Sequence, residues 1–375
     1  MFLNKTIINN KQLIDVAQKM HQAGEMLPDS YIIDMDTLLE NATKILNKSK
    51  KLNLKPYFML KQLGRNPYIA KKFIELGYNG VVVVDFKEAV LMIDNNIPIG
   101  NVGHLVQIPK HLIAKVVNHK PEVFTVFSYD IIDSINKAAN DINYTQELIL
   151  KIYNQDDEIY NMQEGGFKLD ELSKVVKHIK NLENVKLVGV TSFPCILTLK
   201  EDVYVTKNVE TLKLAKIKLE KLGVSVTHVN MPSSTNLKSL GILKQVGATH
   251  VEPGHAFTGT TPISAILETG EKQAMLYVSE ISHTLNGNSY CYGGGYYRRS
   301  YVENALIGRK QTKVLAPCNE SIDYHFGIEG EFNVGETVIM NFRTQLFVTR
   351  STVYLIENLE KAPKIIGVYQ TNGKI

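Results

Sequence analysis

Cysteine is scarce in this chain: its 375 residues hold only Cys195, Cys291 and Cys318, an odd number spread far apart. Such a set cannot build a disulfide scaffold and fits a reducing compartment, so a cytoplasmic protein is expected. Long apolar runs are missing too. Gly80–Asp85, with its four valines, falls far short of the roughly 20 residues that a membrane-spanning helix needs. The opening MFLNKTIINNKQLID turns polar too early for a secretory core, and no membrane association is expected. Neither sign of charge dominates: the formal net charge is +4, with Lys and Glu interleaved, which argues against a nucleic-acid surface. Repeats and low-complexity tracts are absent, and no GxGxxG follows the first strand. The remaining composition, 44% hydrophobic and 21% charged, is that of an ordinary globular chain too long for one small domain.

What the sequence does have is alternation. Short β-branched runs recur, each followed by an amphipathic helical stretch: Tyr31–Asp36, Pro56–Lys61, Gly80–Asp85, Gly100–Leu105, Glu122–Phe127, Glu147–Tyr153, Lys186–Phe193, Ser225–Met231 and Thr249–Glu252. Strands alternating with helices imply βαβ units and a parallel sheet. About eight such units give a (β/α)8 TIM barrel. After Pro262 helical periodicity fades into short strands, and Asn286-Gly287 is a hairpin turn signal. The expected domains are an N-terminal helical segment (1–27), the barrel (28–262) and a smaller C-terminal β-domain (263–375), an α/β fold overall.

Barrel chemistry sits at the C-terminal ends of the strands. Lys61 ends the apolar YFMLK strand, where desolvation would make it nucleophilic toward an aldehyde; a solvated strand-end lysine is the bland alternative. HVNMPSSTN runs into a helix, so Ser233 and Ser234 suit an anion site, or simply a helix cap. In THVEPGHAFTG, Glu252 ends a buried-looking strand and Gly254 lets backbone approach a ligand. A carboxylate at Glu252 could pair with a protonated ring nitrogen, or form a barrel-mouth salt bridge. Together, a lysine, an anion site and a carboxylate are what pyridoxal phosphate requires.

The strings PDSYIIDMDTLLEN, YFMLKQLGRNP, GHLVQIP, TSFPC, HVEPGHAFTGT, SEISH…SYCYGGGYYRR and FRTQLFVTRS carry a further signal. Through them the chain resembles the fold-type III, alanine racemase-like pyridoxal 5'-phosphate enzymes, most closely their YhfX-like branch. The resemblance implies that Lys61 holds the cofactor covalently and is one acid/base group at the substrate Cα. It makes Tyr292 the opposite-face group, reaching the site of a partner subunit in a homodimer. Ser233, Ser234, Gly254 and His255 match phosphate-cradling segments, and Arg65 stands where racemases often place a tyrosine that touches the phosphate. Two positions depart from the family. Glu252 replaces an arginine, which implies a protonated ring nitrogen and a stronger electron sink. Ser192 replaces a frequent histidine beside the ring.

The implied activity is that of an amino-acid racemase or epimerase, an isomerase of amino acid metabolism with a small-molecule amino acid substrate and no metal. An amino-acid decarboxylase of the same fold is the alternative, with Cys318 in APCNESID as its acid; a non-catalytic cofactor carrier is another. A metal-dependent aldolase or dehydratase is disfavoured, because such relatives need a His/Cys/Asp cluster late in the β-domain and only His325 remains after residue 300. His104, Gln107, His228 and His250 are candidates for pocket lining or barrel packing, and Arg298 and Arg299 for carboxylate recognition. With Cys195 and Cys291 inside segments expected to border the site, alkylation of the thiols is expected to disturb activity.

Overall fold

The computed structural model describes residues 2–199, 201–318 and 320–375. They divide into two compact units: residues 44–60 with 67–254, and residues 1–43 with 61–66 and 255–375.

The first unit is the barrel. Parallel strands Phe58–Met59, Val81–Val82, Ile99–Val102, Val123–Val126, Gln146–Tyr153, Val185–Thr191, His228–Asn230 and His250–Val251 pair in sequence, and Lys55–Pro56 pairs with His250–Val251. Lys55–Pro56 and Phe58–Met59 are two halves of one strand interrupted at Tyr57, so the sheet returns on itself. A Cβ on Gly100 would stand 2.2 Å from the Tyr57 ring; the glycine leaves the space that this interior tyrosine fills. Helices between the strands begin where local chemistry dictates. Asp85 caps the helix Phe86–Asp94 by accepting the Glu88 N–H, while Glu88 accepts the Val84 N–H. Val123, Ile149 and Val188 pack together as part of the apolar interior. A hairpin not foreseen in the sequence, Ile196–Leu199 with Asp202–Val205, interrupts the βα alternation.

The second unit is a mixed β-sheet covered by the N-terminal helices Phe2–Asn9 and Lys11–Gln22. Its strand order is Lys310–Lys313, Asn304–Ile307, Thr337–Met340, Met275–Leu285, Ser30–Asp34, Thr352–Glu357 and Lys364–Gln370. Leu13, Ile14, Ala17, Ile32, Leu276, Val278, Ile339 and Ile356 form its core. Asn286 and Gly287 both have positive φ, 52° and 79°, as a tight hairpin between Met275–Leu285 and Asn288–Tyr292 requires.

One strand expectation is corrected. Ser30–Asp34 does not open the barrel; it pairs antiparallel with Met275–Leu285 and parallel with Thr352–Glu357. All five of its residues are buried. A continuous apolar run suits a central strand of either sheet, so its hydrophobicity does not reveal its partners. Among the described residues no helix is long and apolar enough to cross a membrane.

Candidate active site

The barrel unit presents a carboxylate held by amides. Glu252, 5% exposed, lies just past the strand His250–Val251. Its Oε1 accepts from Asn230 Nδ2 at 2.7 Å and from Asn101 Nδ2 at 3.0 Å. Thr125 Oγ1 donates to Asn101 Oδ1 at 2.7 Å, and Asn230 Nδ2 also reaches Thr191 Oγ1 at 3.3 Å. Four further strands thus fix one carboxylate oxygen. Hydrogen bonds to a charged acceptor are the stronger kind, and this brace presets the orientation of the group. Asn101 and Asn230 were missed in the sequence, although both stand at strand ends where such residues act.

Ser192 is buried, and its Oγ accepts from Asn208 Nδ2 at 3.0 Å. Ser233 and Ser234 both have left-handed backbone, φ 100° and 45°. Neither caps a helix, contrary to expectation: the helix is Leu240–Gln245, and Asn236 Oδ1 collects the N–H groups of Lys238 and Ser239 before it. Ser233 donates its hydroxyl to the Ile196 carbonyl at 2.7 Å. The next residue, Thr235, has a buried Oγ1 with no hydrogen-bond partner among the described residues. Gly254 is buried at the end of this unit.

In the other unit, Lys61 opens a short 3-10 turn, Lys61–Leu63, immediately after Leu60. Gly64 (φ 68°) presses on the chain at Thr371, where a Cβ would come 3.3 Å from the carbonyl oxygen. Arg65 is buried, also left-handed at φ 55°, and its guanidinium lies 4.6 Å from the Phe347 ring centroid. Burial, reinforced by the charges of Arg343 and Lys61, pushes the His255 imidazole well below its ordinary pKa and so keeps it neutral. His255 Nδ1 lies 3.4 Å from Thr260 Oγ1. Arg343, from the FRTQLFVTRS string, is thereby added to the cationic group; the string was noticed, but the residue was not singled out.

Tyr292 ends the strand Asn288–Tyr292 with its residue 41% exposed. Its carbonyl accepts from Ser279 Oγ at 2.7 Å and from Tyr277 Oη at 3.3 Å. The glycines after it serve packing within this unit. A Cβ at Gly293, Gly294 or Gly295 would stand 2.7 Å from the Asp323 carbonyl, 2.0 Å from the Asp29 carboxylate or 2.4 Å from the Tyr277 ring. Arg298 and Arg299 are exposed.

The remaining candidates are placed as follows. His104 is buried edge-on to Phe193, and Gln107 donates to the carbonyls of Gly103 and Thr125. His228 and His250 begin their strands, at the barrel end opposite Glu252. Cys318 is exposed and lies 2.6 Å from Glu320 Oε2; Asn319 of the APCNESID run lies outside the described residues. Cys195 and Cys291 are fully buried and Cys318 is exposed, so alkylation of the folded chain falls on Cys318.

These side chains fit pyridoxal phosphate. Within the barrel unit a braced carboxylate suits a protonated ring nitrogen, and the orphaned Thr235 hydroxyl beside a left-handed serine pair suits a phosphate oxygen.

Comparison with known proteins agrees with this chemistry. Residues 33–262 match the alanine racemase N-terminal domain family, and residues 276–365 match the YhfX-like C-terminal domain. The chain is 41% identical to Uncharacterized protein YhfX of Escherichia coli (strain K12), over 100% of this chain and 99% of that protein. Solved structures of the same fold include alanine racemase from Clostridium difficile 630 (TM-score 0.64, 17% identity, 91% of this chain and 98% of that one). D-threonine aldolase from Filomicrobium marinum aligns with TM-score 0.73 at 14% identity, covering 92% and 94% of the two chains. A diaminopimelate decarboxylase from M. jannaschi aligns with TM-score 0.65 at 15% identity, covering 94% and 92%. The chain therefore belongs to the alanine racemase-like family of pyridoxal phosphate-dependent proteins, in its YhfX-like branch.

Proposed function

We propose that the protein is an amino-acid racemase or epimerase that removes and returns the Cα proton of a small amino acid. The observation that carries this reading is the Asn101–Glu252–Asn230 brace, which supplies a fixed anion for a ring nitrogen. When bound, pyridoxal phosphate supplies the electron sink that makes a Cα proton removable. Lys61 holds the cofactor and moves the proton on one face, and Tyr292 does so on the other. Inversion follows because one group takes the proton and the other returns a different one. Ser192, Ser233, Ser234, Gly254, His255 and Arg65 position the ring and phosphate. The exposure of Tyr292 suits a group offered to a second copy of the chain, so the working unit is a cytoplasmic homodimer with shared sites.

Incubation with single enantiomers in D2O tests this directly. At least one amino acid should acquire α-deuterium and lose optical purity, and Lys61→Ala should abolish both along with cofactor absorbance. A panel of both hands with no α-exchange refutes the reading. Carbon dioxide release from a diamino acid, lost in Cys318→Ala, would instead select decarboxylation. Cofactor binding without any turnover would select the carrier role.

A further inference from the structure

Two histidines and a glutamate converge at the barrel end where the strands start. His228 Nε2 lies 3.3 Å and His250 Nε2 3.7 Å from the same oxygen, Glu122 Oε1. The imidazoles stack nearly parallel, 9° apart with centroids 4.1 Å apart, and Tyr57 stacks on His250 at 5.3 Å. The three candidate donor atoms all lie within 4.8 Å of one another. Both histidines are buried, while the Glu122 side chain is 28% exposed and gives solvent access.

The threonines preceding the histidines set where the imidazole protons sit. Thr249 Oγ1 is 3.3 Å from the Val229 carbonyl, to which it donates, and 2.8 Å from His250 Nδ1. Thr249 Oγ1 also accepts from the Val229 N–H at 2.7 Å; giving its proton to the carbonyl makes it an acceptor for Nδ1–H, the tautomer in which His250 Nε2 is a lone pair. Thr227 repeats the pattern: Oγ1 donates to the Val188 carbonyl at 3.5 Å and lies 3.0 Å from His228 Nδ1. In that tautomer two imidazole lone pairs stand beside the Glu122 carboxylate, with the Tyr57 hydroxyl also at that carboxylate, and His250 Nε2 has no hydrogen-bond partner among the described residues. Three Lewis bases converging in this way call for a cation.

We propose that Glu122, His228 and His250 bind a divalent transition cation of the zinc class. Bonds of about 2.0–2.2 Å put tetrahedral ligands roughly 3.4 Å apart, close to the two Glu122 separations. A tilt of the stacked rings brings both Nε2 atoms onto the ion, and water completes the shell. Two imidazoles and one carboxylate select zinc, cobalt or nickel over magnesium or calcium. The Nδ1–threonine bonds are the outer support such ligands ordinarily have. The ion would staple the starts of three strands, Val123–Val126, His228–Asn230 and His250–Val251.

The test uses the untagged, cofactor-loaded chain after chelator dialysis, titrated with Co2+ and then Zn2+. One equivalent of Co2+ should give visible ligand-field bands without near-ultraviolet thiolate charge transfer, should be displaced by Zn2+, and should raise the thermal midpoint. Glu122→Gln keeps the shape at the exposed edge and should weaken Co2+ binding by more than the about 10–100-fold typical of losing an outer-shell support. His228→Gln should abolish it. No stoichiometric uptake by the wild-type chain overturns the proposal, as does undiminished uptake in a folded Glu122→Gln variant. The wild-type titration stands even where a histidine variant does not fold.

Discussion

Replacing Glu252 in two ways separates its structural work from its chemical work. Glu252→Ala removes the single oxygen that accepts from Asn101 and Asn230 and leaves two amide donors unsatisfied inside the barrel. Each such group costs about 1–3 kcal/mol, so the loss is about 2–6 kcal/mol, before any packing term. The unit that holds them is of a size for which 1 kcal/mol moves the midpoint by about 2–4 °C, so a fall on the order of 10 °C is expected. Glu252→Gln keeps an oxygen acceptor for both amides. It gives up the charge-assisted part of two bonds but no longer buries a charge, and the net change stays within about 1–2 kcal/mol. A neutral amide, however, cannot serve as the counter-ion of a protonated ring nitrogen. Thermal melts and urea midpoints of the two variants, together with α-deuterium exchange, make the comparison. The expected pattern is an unstable Glu252→Ala and a stable Glu252→Gln whose Cα exchange is at least tenfold slower, a barrier increase of about 1.4 kcal/mol or more. Wild-type stability in Glu252→Ala would refute the brace; wild-type exchange in Glu252→Gln would refute the pairing with the ring.

Three other outcomes follow from the geometry. Burial raises the Asp323 carboxyl to about 6, with Arg350 opposing. The folded chain therefore holds this proton where the unfolded chain has released it, and the contribution present below about pH 4 is lost as pH rises to about 6. Asp323→Asn, at a left-handed position (φ 62°) that asparagine tolerates, should be more stable than wild type above pH 6 and equal to it below pH 4 in urea titrations. Thiol labelling of the native chain should modify one cysteine, Cys318, because Cys195 and Cys291 are buried and burial raises Cys291 to about 12, leaving about one thiolate in ten thousand at pH 8. Three fast-reacting thiols would contradict this packing. Gly295→Ala places a methyl 2.4 Å from the Tyr277 ring and should destabilise by about 1–3 kcal/mol in a denaturant series; an unchanged midpoint would show that the turn yields freely.

The barrel was legible because βαβ alternation is a property of consecutive residues. Strand after strand from Phe58–Met59 to His250–Val251 pairs with its sequence neighbour, so local pattern and global topology coincide. Where pairing is remote, the pattern is silent. Ser30–Asp34 joins partners more than 240 residues away, and its buried run would suit either sheet. The strands Asn304–Ile307, Lys310–Lys313 and His325–Glu329 are only four or five residues long, and Lys310–Lys313 has no apolar residue, so alternation has little room to show there.

Candidate site residues divide along the same line. Lys61 and Glu252 stand out as candidates because a strand end with a charged residue after an apolar run is visible in one segment. The role of Glu252, by contrast, depends on Asn101 and Asn230, which lie 151 and 22 residues away and look like ordinary asparagines in their own segments. The convergence at the opposite end of the barrel is more hidden still. Glu122, His228 and His250 come from three strands, and neither spacing nor local chemistry links them. Only closure of the barrel brings their first residues into one ring, and only the threonine before each histidine shows which nitrogen faces inward. Parallel strands in a closed sheet share two rims. The same two-residue step that separates His228 from Asn230 and His250 from Glu252 sets a nitrogen-rich layer about 6–7 Å below the braced carboxylate. A cation bound below would thus fix the strands on which the residues above depend, and stripping it should loosen the Glu252 brace before it unfolds the β-domain unit.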